Sequence, residues 1–194
     1  MFFMERNYHG FAFEQYVEEK FGVNRAGKGY TSKWDGCFRG VSISIKHIKK
    51  GNAIDLGDLF RQAFIEEDFF LIIGFYEKPQ DLDRDSIYFL YIPGEKWKTY
   101  FISSESFQNK FKNALFCVSN DKKDDAKWTK LRQECVKYWK ENTNGFITVN
   151  GKRDHKSQKR WQCSINKTNF YKEFLPKYEI TKEEFLNYAK RDEK

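Results

Sequence analysis

The sequence predicts an α/β (α+β) fold, with a mixed central β-sheet flanked by helices and a basic helical and hairpin part at its C-terminal side. Three observations carry this expectation. The run Phe69 to Phe75 (FFLIIGF) is continuously apolar, as expected of a strand covered on both faces. Before it, helix-like and strand-like periodicities alternate. After about residue 100 the pattern turns to amphipathic helices and a basic stretch with period-two alternation.

Taken in order, Phe11 to Phe21 reads as a helix ended by Gly22, with Phe13, Val17 and Phe21 on its buried side. Thr31 to Phe38 and Val41 to Ile48 read as two strands meeting at Arg39-Gly40. Asp55 to Glu67 is predicted as an amphipathic helix whose stripe is Leu56, Leu59, Phe60, Ala63 and Phe64, with Asp55 as its N-cap. Ile87 to Ile92 (IYFLYI) reads as another buried strand. Ser103 to Leu115 and Asp125 to Asn142 look helical, the latter with Trp128, Leu131, Cys135 and Trp139 along one side.

Phe146 to Val149 is a short strand running into Asn150-Gly151, a hairpin signal; a basic segment follows, and then Arg160 to Ile165 with period-two alternation. Thr181 and Glu184 form a capping box for a terminal helix. Trp128, Trp139 and Trp161 read as core. The division expected is residues 1–100 as the core and residues 101–194 as the remainder of the same compact domain.

The chain has 194 residues, a formal net charge of +7 and a pI near 9.1, which make a polyanion the expected partner. No apolar run approaches the ~20 residues that a membrane span needs. Met1-Phe2-Phe3-Met4 is too short for a signal peptide, so the expected compartment is the cytoplasm, without membrane association. The cysteines, Cys37, Cys117, Cys135 and Cys163, form no CxxC pair, and His9, His47 and His155 show no metal-ligand spacing. Zinc-finger and HNH-type chemistry is thereby excluded, and any metal would rest on oxygen ligands, as magnesium does.

The stretch that carries chemistry runs from Lys33-Trp34-Asp35-Gly36 to Val41-Ser42-Ile43-Ser44-Ile45-Lys46. On the second strand Ser42, Ser44 and Lys46 share one face. With the turn at Arg39-Gly40, Phe38 pairs with Val41 and Asp35 stands opposite Ser44, so Asp35, Ser44 and Lys46 converge. An odd-length loop would send Asp35 to the other face. Glu14 falls on the apolar arc of the first helix, where a carboxylate is costly unless paired or metal-bound. Carboxylates holding magnesium beside a lysine are what phosphodiester cleavage requires.

Asp35, eight intervening residues and then Ser44-Ile45-Lys46 resemble the PD-(D/E)xK nuclease superfamily, most closely type II restriction endonucleases of the SxK variant. Gly10 to Val17 (GFAFEQYV) is similar to the first helix of those enzymes, whose Glu joins the metal site. The resemblance covers roughly residues 8–92. It implies a restriction-endonuclease-like core with a mixed sheet, and Mg2+-dependent hydrolysis of double-stranded DNA at a short specific sequence, with Mn2+ able to substitute. It also implies action as a homodimer.

Asp35, Ser44, Lys46 and Glu14 are then the catalytic set, with Asp35 and Glu14 on the metal. No Pro precedes Asp35, and Ser44 stands where an acid is usual. Glu14 becomes the replacement ligand, with Asp55 or Asp58 as alternatives. Lys49, Lys50, Lys152, Arg153, Lys156, Lys159 and Arg160 are candidate DNA contacts, and Gln158 and Gln162 candidate readers of base edges. A structure-specific nuclease, of the junction-resolving or repair kind, and a non-catalytic DNA-binding protein are the rival readings.

Overall fold

The apolar runs become strands in the computed structural model, which describes residues 8–25, 33–78, 87–101, 107–118, 124–153 and 159–188. In order, the elements are α1 (Tyr8–Phe21), β1 (Asn24–Arg25), β2 (Gly36–Phe38), β3 (Val41–Lys49), β4 (Ile54–Asp58), α2 (Leu59–Ala63), β5 (Phe69–Tyr76), β6 (Ile87–Ile92) and α3 (Gly94–Lys98). A π-helical turn (Gln108–Lys112) and a short helix (Asn113–Phe116) precede α4 (Asp125–Asn142), β7 (Ile147–Arg153) and β8 (Lys159–Ile165). Short helical turns between Lys167 and Tyr178 lead to β9 (Glu179–Ile180) and α5 (Lys182–Leu186). No described helix is long and apolar enough to cross a membrane.

The fold is mixed α/β, and the chain divides into two units that interleave along the sequence. The first gathers residues 1–52, 67–94 and 170–194; the second gathers residues 53–66 and 95–169. This differs from the division expected near residue 100. The segment 53–66 leaves the first unit because β4 hydrogen-bonds to β8, and the last segment returns to it because β9 pairs with β6.

The first unit is built on a six-stranded sheet of order β1-β2-β3-β5-β6-β9. β3 and β5 run parallel, with Ser42 opposite Phe69 and Lys49 opposite Tyr76, while the other pairs are antiparallel. The sheet is therefore mixed, as the sequence predicts. All of β5 but its last residue is buried, and helices supply its cover. Phe13, Val17 and Phe21 of α1 join Ile43, Ile45, Phe70, Ile72 and Phe89 in one core, completed by Phe185 of α5. Each such aromatic, fully buried, contributes on the order of 2–3 kcal/mol. Phe13 lies so close over β5 that a Cβ on Gly74 would stand 2.4 Å from its Cζ. The Thr181–Glu184 capping box is formed, and it starts α5.

The second unit carries the antiparallel sheet β4-β8-β7. Its core holds Trp97, Phe107, Phe111, Trp128, Trp139 and Trp161, all at or below 8% exposure, so the tryptophans are core as read. Their indoles are satisfied by carbonyls: Trp97 Nε1 donates to Gln62 at 3.0 Å, Trp139 to Ile147 at 2.7 Å and Trp161 to Phe111 at 3.0 Å.

Two local expectations are corrected here. The helix predicted for Asp55 to Glu67 is a strand to Asp58 followed by the one-turn α2, because pairing with β8 claims residues 54–58. Its N-cap is Asp58, which accepts from Arg61 N at 2.9 Å, and not Asp55. Phe64, assigned to the buried stripe, is 48% exposed. The Asn150-Gly151 pair is no turn either. Both residues lie within β7, opposite Gln162 and Trp161. Gly151 serves close approach instead, since a Cβ there would meet Trp128 at 2.8 Å and Trp161 at 2.9 Å. Of the helix predicted for Ser103 to Leu115, residues 103–106 lie outside the described residues, and the rest is the π turn and short helix given above.

Candidate active site

The β2–β3 hairpin decides which side chains can meet. Its two-residue connection places Arg39 at φ 48° and Gly40 at φ 79°. Both central residues at positive φ is the pattern of a type I′ turn, whose twist suits adjoining strands. Arg39, which is not favoured there, is anchored by Nη1 donating to the Tyr188 carbonyl at 2.8 Å. The even register follows: Phe38 faces Val41 and Gly36 faces Ile43.

β2 stops at Gly36, and the chain turns away after one more bond, Asp35 N to Ile43 O at 2.9 Å. The next donor along β3, Ile45 N–H, is taken by the Asp35 carboxylate, whose Oδ2 accepts it at 2.6 Å. That same oxygen accepts from Ser44 Oγ at 3.2 Å and from Lys46 Nζ at 3.3 Å. Lys46 Nζ also donates to the Ile45 carbonyl at 3.0 Å. Asp35 Oδ1 has no hydrogen-bond partner among the described residues. Asp35, Ser44 and Lys46 thus meet where the sequence places them, with the two charged side chains 29% and 25% exposed.

Glu14 of α1 lies within electrostatic range of this group. Burial, and then the nearby Asp35 carboxylate, push its carboxyl above the ordinary range, while Lys46 and Arg25 work against them. Two carboxylates that repel across a half-buried space are what a cation between them would relieve. Sequence reasoning missed Arg25 of β1. Its Nη2 lies 3.9 Å from Glu14 Oε2, and its Nε lies 3.5 Å from Glu18 Oε1. It missed Glu67 as well, whose carboxylate accepts from Lys33 Nζ at 2.8 Å and Trp34 Nε1 at 2.9 Å, gripping the residues just before Asp35. A two-residue strand and a contact across some thirty positions leave no periodic signal in sequence. His47, next to Lys46, stacks on Phe13 at 4.6 Å and lies tilted against Tyr76 at 4.5 Å.

The remaining sequence candidates divide. Asp55 and Asp58 belong to the second unit and are committed to local structure. Asp58 caps α2, while Asp55 accepts from Gly57 N at 2.9 Å and from the Gln162 amide. Gln162, expected to read bases, is 9% exposed, and Arg153 bonds to Asp125 while lying 5.8 Å over the Trp128 ring. Gln162 is thus held against β4 and Arg153 against the start of α4.

Lys152 stands opposite Arg160, and Arg153 opposite Lys159. Lys152 Nζ comes to 4.0 Å from Asp55. Lys49 is exposed at the end of β3, and Lys50 pairs with Glu77 at 3.4 Å. Lys156 and Gln158 lie outside the described residues. Among the described residues no three His, Cys, Asp or Glu side chains are grouped to hold a metal. Comparison with protein-family models, with curated proteins and with solved structures finds no match to this chain.

Proposed function

We propose that this chain is a magnesium-dependent endonuclease that hydrolyses phosphodiester bonds of double-stranded DNA. The observation that carries the reading is the convergence of Asp35, Ser44 and Lys46 beside β3, with Glu14 of α1 near enough to feel the charges of Asp35 and Lys46. Lys46 Nζ is held at 3.3 Å from Asp35 and 3.0 Å from the Ile45 carbonyl, which fixes one ammonium beside the two acids.

Magnesium is commonly bound by only one or two protein carboxylates, keeping waters and substrate phosphate for its other positions. The donor set fits: Glu14 and Asp35 would hold the ion. Bound there, it would supply positive charge to the phosphoryl oxygens and an activated water. Lys46 is placed to offset charge that develops on the phosphate, or to orient the attacking water, and Ser44 holds Asp35 in its rotamer. Lys49 and Lys50 at the end of β3 supply phosphate-pairing charge on the first unit, and Lys152, Lys159 and Arg160 of the β7–β8 hairpin supply it on the second.

Within this reading the finer assignment is a type II restriction endonuclease working as a homodimer. A second assignment, structure-specific cleavage, is favoured by one observation: the amide of Gln162, a candidate base reader, and the guanidinium of Arg153, a candidate DNA contact, are occupied by Asp55 and Asp125. Incubation with mixed genomic DNA and with branched DNA, each with magnesium or with EDTA, tests all of this. Discrete magnesium-dependent bands mean restriction, and cutting confined to branched DNA means structure-specific cleavage. Absence of cutting on every substrate overturns the nuclease reading.

A further inference from the structure

We infer that Arg25 is a resident cation of the acidic site, displaced from Glu14 by the metal and handed to the substrate phosphate; the inference rests on the nuclease reading above. Glu14 and Glu18 are one turn apart on α1, and a single guanidinium spans them, with Nη2 at 3.9 Å from Glu14 and Nε at 3.5 Å from Glu18. Asp35 and Lys46 act electrostatically on the same Glu14. Glu14 is thus under the influence of two further acids, Glu18 and Asp35, and of two cations, Arg25 and Lys46.

A divalent ion held by Glu14 and Asp35 competes with Arg25 for Glu14 and repels its guanidinium. It leaves the contact through Nε to Glu18 as a pivot. The Arg25 side chain is half exposed, while Glu14 and Glu18 are 26% and 19% exposed, so the arginine is the partner with room to move. Once released, its Nη groups offer the planar fork that fits a phosphate in two-point fashion. A lysine, with one point charge, can pair with Glu14 or Glu18 but cannot span both.

The test is a titration of DNA-free protein with manganese as the probe ion, followed by the loss of the free-ion EPR signal, for wild type, Arg25→Gln and Arg25→Lys. Removing a competing half-exposed ion pair should tighten manganese binding roughly two- to fivefold in Arg25→Gln. Arg25→Lys should fall between Arg25→Gln and wild type, and it serves as the folded comparison should the Gln variant be unstable. Duplex binding in magnesium, in a Lys46→Ala background that prevents cutting, should weaken when Arg25 is changed to Gln. Its salt dependence should lose about one phosphate's worth of slope.

Unchanged or weaker manganese affinity in both variants overturns the inference and leaves the nuclease reading standing. Tighter manganese binding with unaltered DNA affinity and slope overturns the hand-over to phosphate. A wild-type chain that binds no manganese overturns the inference together with the reading beneath it.

Discussion

Asp35→Asn keeps the shape of the side chain and removes its charge, so it isolates what the carboxylate does for the fold. Oδ2 accepts from Ile45 N–H at 2.6 Å, from Ser44 Oγ at 3.2 Å and from Lys46 Nζ at 3.3 Å. A hydrogen bond to a charged acceptor contributes about 1.5–3 kcal/mol, against about 0.5–1.5 for a neutral one, so the Ile45 bond loses roughly 1 kcal/mol. The Lys46 pair, a quarter exposed on each side, adds no more than about 1 kcal/mol. Relief of repulsion from Glu14 returns part of this, leaving a net loss of about 1 kcal/mol, or roughly 2–4 °C in melting temperature for a chain of this size.

Glu14→Gln should behave oppositely. Burial and the Asp35 charge disfavour its ionised form, and its ion pair with Arg25 is long and half exposed. It should hold or raise stability. The assay is thermal denaturation in EDTA at neutral pH, paired with amide exchange at Ile45, which should quicken in Asp35→Asn alone. If Asp35→Asn melts at or above the wild type with Ile45 exchange unchanged, the carboxylate does not hold that amide and the account of the site's geometry fails.

Three further outcomes are expected. Lys46→Ala should lower magnesium-dependent cleavage by on the order of a hundredfold or more while duplex binding persists, and wild-type rates would make Lys46 a surface residue. In metal-free buffer the folded state holds the Glu14 proton more tightly than the unfolded chain does. The stability gained from that proton is present at acid pH and lost as pH rises through the folded value. The stability difference between wild type and Glu14→Gln should therefore widen in favour of Gln from about pH 4.5 upward, as denaturant titrations across pH would show. Gly74→Ala drives a methyl to 2.4 Å from Phe13 Cζ and should cost about 1–3 kcal/mol in the same titrations, and an unperturbed variant would mean that α1 yields freely.

The site was legible where local geometry alone decides it. A strand's two-residue period and an even turn fix Asp35, Ser44 and Lys46 on common ground, and the apolar arc of α1 singles out Glu14. Sequence could not separate the two acids, because what distinguishes them is the Ile45 amide, a donor exposed only where β2 ends. The stripe from Leu56 to Phe64 imitates a helix, but long-range pairing with β8 overrides that local period. Asn150-Gly151 carries turn chemistry, yet the glycine is there for Trp128 and Trp161, whose approach no spacing foretells. The polar residues of β7 and β8 read as an interface in one dimension; in three, Asp55 and Asp125 claim Gln162 and Arg153.

The threading of the chain has a consequence for how this protein comes to be folded. Residues 53–66 and 95–169 close the second unit among themselves, whereas the sheet bearing Asp35 and Lys46 takes β9 from Glu179–Ile180 and its covering ring from Phe185. Arg39, in the turn that sets the register of β2 on β3, waits for the carbonyl of Tyr188. The first unit thus depends on contacts between the beginning and end of the described chain, which carry the largest loop-closure entropy and form slowly. During synthesis the second unit can settle first, and the acids at the edge of β3 are brought into register only as the last helix docks.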